Sequence, residues 1–225
     1  GNVFVANRHF DNKEVSVLKV LLEGGIDRNG NGVIDTSSDT NGDCVIQAGE
    51  MIPLVDLNGN GVLEDNELAD ERVAFVEQVP GTRSHLGRSL CIDNEGDVWA
   101  GTYSPGNYYE LSPVDGTLKN GPISTGTTNY GCVIDGDGIL FGASLSTRMP
   151  IIDTNTHTLL GVRTHGSDYG IAAGNGKVYK GNAGSPYLIY DPNSGEGEPD
   201  GNPVTGTFST PPVFASSSLG VGVDG

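Results

Sequence analysis

Basic residues are scarce in this chain. Twelve lysines and arginines stand against 29 aspartates and glutamates, a net charge of −17. Such a surface repels phosphate backbones, which excludes nucleic acid as a partner. Long apolar runs are missing too: no stretch approaches the roughly 18–20 residues a helix needs to cross a bilayer, so membrane insertion is not expected. Cysteine is limited to positions 44, 91 and 132, with no CxxC spacing. That is too few for a disulfide-built scaffold and leaves the redox compartment open. No Ser/His/Asp order, phosphate-cradling glycine loop or zinc-ligand spacing occurs. Glycine, by contrast, is abundant at 35 of 225 residues, the composition of many short strands joined by tight turns. The length allows one large all-β domain with a sizeable core.

Internal self-similarity organises the chain. The segments SLCIDNEGDVWAG (89–101), YGCVIDGDGILFG (130–142) and YGIAAGNGKVYKG (169–181) align without gaps at offsets of 41 and 39 residues. Each reads as a short apolar strand, a Gly/Asp/Asn turn and an alternating strand. NYYELS (107–112), MPIIDT (149–154) and YLIYDP (187–192) supply a third strand, and turn signals then precede a weaker fourth. LGVGVDG (219–225) matches the start of the pattern and GNVFVA (1–6) its second half. Four antiparallel strands every ~40–45 residues indicate a β-propeller blade. One twisted sheet cannot cover its own two apolar faces, whereas radial stacking covers both. With Gly96 as the start of a unit, units fall near 1–95, 96–136, 137–175 and 176–225, all within a single propeller segment, 1–225.

The turns DNEGDVWAG, DGDGILFG and GNGKVYKG resemble the D-x-x-G-x-(V/I)-(W/Y)-(V/A) turn of NHL and streptogramin-lyase-like propellers. The resemblance covers about three-quarters of the chain and bears on architecture more than on activity. It implies a ring of roughly six or seven blades. The four units are therefore expected to form part of a larger propeller, its end faces covered by a partner or by further blades. The chain also starts inside what reads as a strand, as a portion of a longer protein would.

Residues 23–71 break the repeat. They carry twelve acidic residues and one basic residue, Arg28, so −11 of the net charge lies here. The carboxylates are spaced as in EF-hand-type loops, which offer calcium oxygens at positions 1, 3, 5, 7, 9 and 12, with glycine at position 6. One loop runs Asp56, Asn58, Asn60, the Val62 carbonyl, Glu64 and Glu67. A second runs Asp39, Asn41, Asp43, the Val45 carbonyl, Gln47 and Glu50, with Cys44 in place of the glycine. The first runs Asp27, Asn29, Asn31, the Val33 carbonyl and Asp35, but its twelfth position is Ser38. Asp39 follows immediately and would serve two neighbouring sites. Two to three calcium ions are expected. The spacers are too short for the paired helices of a sensor, although NELADERV (66–73) has room for two helical turns. Back-to-back loops of this kind resemble dockerin-like and thrombospondin-type calcium repeats. Their expected role is to hold an acidic excursion of the first blade in one shape, between VSVLKVLL (15–22) and RVAFVEQV (72–79).

A second candidate region follows from the repeat alignment. His85 and His165 fall in register, as do Arg88, Asn129 and Asp168, and then Tyr130 and Tyr169. If the innermost strands line a channel, these residues ring its mouth as a polar ligand site. Streptogramin lyases use a histidine pair with a glutamate and a divalent ion at such a mouth. The two histidines match that resemblance, but no glutamate does. His9 and His157 read as solvent-facing turn residues, and Trp99 as core. Cys91 and Cys132 align on consecutive units. A disulfide there needs Cα atoms within ~7 Å, and two buried thiols are the simpler expectation.

These readings point to a secreted or cell-surface, calcium-stabilised structural or binding module of an adhesive, matrix or fibrous assembly. Its expected partners are a protein or glycan surface or further copies of itself. The alternatives are a propeller enzyme of the streptogramin-lyase type and a calcium-dependent carbohydrate-binding lectin.

Overall fold

The computed structural model describes residues 1–8, 13–164, 169–181, 188–194 and 203–210. Its strands form antiparallel meanders, each sheet following chain order. Strands β1 (Asn2–Asn7), β2 (Ser16–Leu21) and β3 (Val73–Gln78) make a three-stranded sheet. The second sheet comprises β4 (Gly87–Ile92), β5 (Val98–Thr102), β6 (Asn107–Leu111) and β7 (Leu118–Ser124). The third comprises β8 (Asn129–Ile134), β9 (Ile139–Ser144), β10 (Arg148–Asp153) and β11 (Thr158–Thr164). The fourth comprises β12 (Gly170–Gly174), β13 (Lys177–Gly181), β14 (Leu188–Asp191) and β15 (Thr207–Ser209). The fold is a β-propeller, and each sheet is a blade. No helix among the described residues is long and apolar enough to cross a membrane.

Blades cohere through alternation along their second strands, because successive side chains point to opposite faces. From β5, Val98 and Ala100 meet Val15, Val17 and Val79 of the first blade, while Trp99 between them turns to Leu140 and Ile152 of the third. From β9, Leu140 faces back to Trp99 and Phe141 faces forward to Val178 and Tyr190 of the fourth. Fully burying each such side chain contributes roughly 1.5–3 kcal/mol, so the inter-blade layers carry the core.

Two features depart from the sequence reading. The blades begin at their innermost strands, so a repeat unit counted from Gly96 straddles two sheets. Unit 1–95 holds the whole first blade and β4 of the second. The register also differs. Ile92 pairs with Val98, Ile134 with Leu140 and Ala173 with Val178, so the first two hairpins are equal in length and lie 42 residues apart, and the third is one residue shorter. The gapless offset of 41 is one residue short, whereas 39 fits the innermost strands β8 and β12 and becomes 38 on β9 and β13. The fourth blade uses a two-residue turn, Asn175–Gly176, with both φ positive at 52° and 69°, as a twist-matched hairpin requires.

Cys91 on β4 and Cys132 on β8 form a disulfide with Cα atoms 5.8 Å apart, which corrects the expectation of two free thiols. Cys91 pairs with Trp99 and shares its face toward the third blade; Cys132 pairs with Gly142 and faces the second. The thiols therefore point at each other across the blade interface.

Candidate metal-binding insertion

Between β2 and β3 the chain leaves the sheet and returns to it. Its root is zipped by backbone bonds from Leu21 N–H to Arg72 O and from Ile26 N–H to Glu71 O, both 2.8 Å. Gly25 permits this closeness, since a Cβ there would meet Ile34 and lie 2.9 Å from the Glu71 carbonyl. Beyond the root there is little apolar packing. Val33, Val45 and Leu57 are 60%, 59% and 74% exposed, whereas Leu68 is buried. Polar bonds hold the excursion instead. In place of the two expected helical turns after the third loop there is one short 3-10 turn, Asp65–Glu67.

The three loops repeat one hydrogen-bond pattern. The first-position aspartate accepts from the N–H groups of positions 4, 5 and 6: Asp27 at 2.7, 3.1 and 2.8 Å, Asp39 at 2.7, 3.2 and 2.7 Å, and Asp56 at 2.6, 3.2 and 2.7 Å. Positions 3 and 5, Asn29 and Asn31, Asn41 and Asp43, Asn58 and Asn60, each accept from the N–H two residues on. Position 9 closes the ring: Asp35 accepts from the Asn29 and Asn31 amides, Gln47 donates to Asp43, and Glu64 accepts from the Asn58 and Asn60 amides. Position 6 has positive φ throughout, +80° at Gly32, +66° at Cys44 and +84° at Gly61. Cys44, exposed and free, thus takes the left-handed conformation that its neighbours give to glycine.

The twelfth position holds the main difference from the sequence reading. In the second loop, Glu50 accepts from the N–H groups of Thr40, Asn41 and Gln47, which are positions 2, 3 and 9. In the third loop, Glu67 accepts from Leu57, Asn58 and Glu64 in the same way. In the first loop this role falls neither to Ser38 nor to Asp39. Glu71, which is 1% exposed, accepts from Arg28 at 2.8 Å, Asn29 at 3.3 Å and Asp35 at 2.9 Å. A carboxylate two residues before β3 thus completes a loop rooted at the end of β2. A deficit at position 12 within an acidic run that ends in an unassigned glutamate beside a strand was the available signal.

Thr40's hydroxyl, with the Gln47 N–H, pulls the Glu50 carboxyl down to about 2. The Glu64 N–H leads the lowering of Glu67, against its burial. Further bonds tie the loops together. Asp70 accepts from Thr36 and Ser37, and the Ser37 hydroxyl accepts from Ile52 N–H. The Arg28 guanidinium pairs with Asp65 at 2.8 Å and donates to the Ala74 carbonyl at 3.0 Å, and Gln78 donates to Gly61 O. The donor set at each loop is carboxylate, amide and carbonyl oxygen, which suits a hard cation.

At the innermost strands, Arg88 lies over the Tyr130 and Tyr103 rings, at 4.4 and 5.0 Å, and Tyr130 meets Tyr169 edge-on at 4.9 Å. Arg88 is therefore the structural equivalent of Tyr130, 42 residues on, and not of Asn129, while Tyr130 and Tyr169 keep the register the repeat alignment gave them. Asn129 does not join them; its fully buried side chain bonds Thr125, Thr127 and the Asn107 carbonyl. His85 Nδ1 is buried without a hydrogen-bond partner. His165, Asp168 and His9 lie outside the described residues.

His157 is no solvent-facing turn residue. It stacks on Trp99 and sets Nε2 2.6 Å from Glu110 Oε2, bridging the second and third blades. Glu110 belongs to a group with Asp93 and Asp97 whose carboxylates could hold a metal ion. Lys119 already pairs with Asp97 and, at 3.1 Å, with Glu110.

No family model and no curated protein matches the chain. Among solved structures it is similar to the computationally designed Ika8 and Ika4 proteins, each 13% identical with a TM-score of 0.51 over 68% of this chain. The match covers 86% of Ika4 but 44% of Ika8, so the chain spans less than half of the latter's length. BamB from Moraxella catarrhalis is 16% identical with a TM-score of 0.43, over 55% of this chain and 38% of its own. At these identities the likeness concerns fold alone.

Proposed function

We propose that the chain is a secreted or cell-surface structural or binding module whose acidic arm is held in shape by up to three calcium ions. The observation that carries this reading is the threefold pattern just described, in which Glu50, Glu67 and Glu71 each bring a carboxylate to a loop already lined with side-chain oxygens. Asp27, Asn29, Asn31, Asp35 and the Val33 carbonyl would form the first site with Glu71. Asp39, Asn41, Asp43, Gln47 and the Val45 carbonyl would form the second with Glu50, and Asp56, Asn58, Asn60, Glu64 and the Val62 carbonyl the third with Glu67. The ion supplies charge neutralisation to a segment whose own apolar packing is small.

Extracellular calcium suits such loops, since modular sites of this kind bind at roughly 10⁻⁴–10⁻³ M. The Cys91–Cys132 disulfide supports the same compartment, because structural disulfides persist mainly where the surroundings are oxidising. The partner we infer is a protein or glycan surface, met by the calcium-hardened arm. Limited proteolysis with and without chelator, mapped by mass spectrometry, tests the reading. Cleavage within residues 22–72 should appear in chelator and vanish on adding calcium, while the blades stay resistant. Equal protection of the arm in both conditions would refute it.

A further inference from the structure

Charge is sorted between the two ends of the second and third blades. At one end the turns 93–97, 112–117 and 135–138 carry Asp93, Glu95, Asp97, Asp115, Asp135 and Asp137 and no lysine or arginine. At the other end the connections 79–86, 103–106, 125–128 and 145–147 carry Arg83 and His85 and no aspartate or glutamate. The strands that leave them add Arg88 near the start of β4 and Arg148 at the start of β10. A Cβ on Gly87 would lie 2.8 Å from the Asn7 carbonyl, so this basic end is the one away from Leu21, where the insertion departs. Glu14 of the first blade reaches it and is taken up by the Thr82 N–H and hydroxyl, at 2.6 and 3.1 Å. Among the described residues, an anion approaching a chain of net charge −17 is repelled least here.

Arg88 is the cation there that is held but not neutralised. Arg28, Lys119 and Lys177 pair with carboxylates, whereas among the described residues no carboxylate pairs with Arg88. Stacking on Tyr130 and Tyr103 fixes the plane of its guanidinium fork. Tyr103 is tied in turn to the segment before β4, its N–H donating to the His85 and Leu86 carbonyls at 3.1 and 2.9 Å. In that segment Ser84 and Leu86 take positive φ, 65° and 56°, which residues with a Cβ disfavour. Arg88 Nε, like His85 Nδ1, is buried with no hydrogen-bond partner. Buried donors left unpaired are costly, and here that cost and the backbone strain occur together in the turn leading to Arg88.

We propose that this end of the molecule holds an anion site anchored by Arg88, and that its ligand is the carboxylate of a sugar acid, a uronate unit of a glycan. A guanidinium fork meets a carboxylate with two parallel N–H···O bonds. Tyr130 stands edge-on to Tyr103 at 6.2 Å and to Tyr169 at 4.9 Å, and Tyr169 is 38% exposed. Tyrosine combines an apolar ring with a wet phenol tip, which suits the C–H face and the hydroxyls of a pyranose. Inorganic phosphate would satisfy the fork and leave the rings unused. The site shares no residue with the calcium loops, so it stands or falls separately from them.

Calorimetric titration with digalacturonate, in the presence of calcium, tests the assignment. The wild type should bind it about tenfold more tightly than the neutral disaccharide or inorganic phosphate. Arg88→Gln should weaken the uronate about tenfold, and Arg88→Lys, which keeps the charge but loses the fork, by a smaller factor. Denaturant midpoints establish that the variants fold. Tyr169→Leu, at the exposed ring, leaves the stack of Arg88 on Tyr130 and Tyr103 in place and should weaken binding several-fold. Equal affinity of the wild type and Arg88→Gln would overturn the proposal, and so would phosphate bound as tightly as the uronate. Uronate binding that survives Arg88→Gln and disappears in chelator would move the sugar to the calcium loops and overturn it as well.

Discussion

The insertion and the blades solve the same problem with opposite materials. Between blades, fully buried Val98, Trp99, Leu140 and Phe141 exclude water, and a disulfide bolts two innermost strands together. In the insertion large apolar side chains are mostly exposed, and order comes from carboxylates accepting backbone N–H groups. Their titration differs accordingly. Glu50 and Glu67 are pulled down by hydrogen bonds. In the blades Glu77 is pushed up by burial, with the Asp115 charge adding, and Asp135 by burial, with Asp137 adding. A segment built from ionised carboxylates is open to control by protons and cations, and a segment built from apolar faces is not.

The sharpest way to break the comparison is to remove the covalent tie. Closing a 41-residue separation constrains the unfolded chain by about 4 kcal/mol on the loop-entropy model. Cys91→Ser with Cys132→Ser should lower blade stability by that order in denaturant unfolding, while calcium binding by the folded protein stays unchanged.

Acid should act the other way round. Because Glu50 is ionised in the loop down to about 2 and its ordinary value is 4.5, its contribution is complete above 4.5 and is lost as pH falls through about 2. Glu77 and Asp135 have the opposite sign, since their ionisation disfavours the fold and protonation relieves it. At fixed calcium the NMR signals of the insertion should therefore collapse with acid before those of the blades. Simultaneous loss would erase the distinction.

The smallest expected effect concerns Cys44. Its φ of +66° strains a residue with a Cβ, and glycine should relieve about 1 kcal/mol. Cys44→Gly is expected to tighten calcium binding at the second loop a few-fold in a titration, with no change in blade unfolding.

How much of this was legible in sequence depended on range. Positions 1 to 9 of each loop are local, so spacing alone places Asp27, Asp39 and Asp56 with their followers. Glu71 is 44 residues from Asp27 and becomes visible only when β2 and β3 pair. Blade number and the excursion from the first blade were readable from the repeat, but facing was not, because a one-residue slip of register turns every side chain over. Gapless alignment therefore paired Arg88 with Asn129 in place of Tyr130. It also set Cys91 and Cys132 as equivalents, which would point the same way around the ring and never meet. His157 was misread because its partners, Trp99 and Glu110, belong to another blade.

The central claim is that three loops each take one calcium ion, the first closed by Glu71. Equilibrium dialysis against calcium, with bound metal counted by mass spectrometry, tests it most directly on the wild type and on Glu71→Gln. The account predicts three ions per wild-type chain and two per variant, with the second and third sites retained. Three ions in both would remove Glu71 from the first site, and no specific binding by the wild type would contradict the account as a whole.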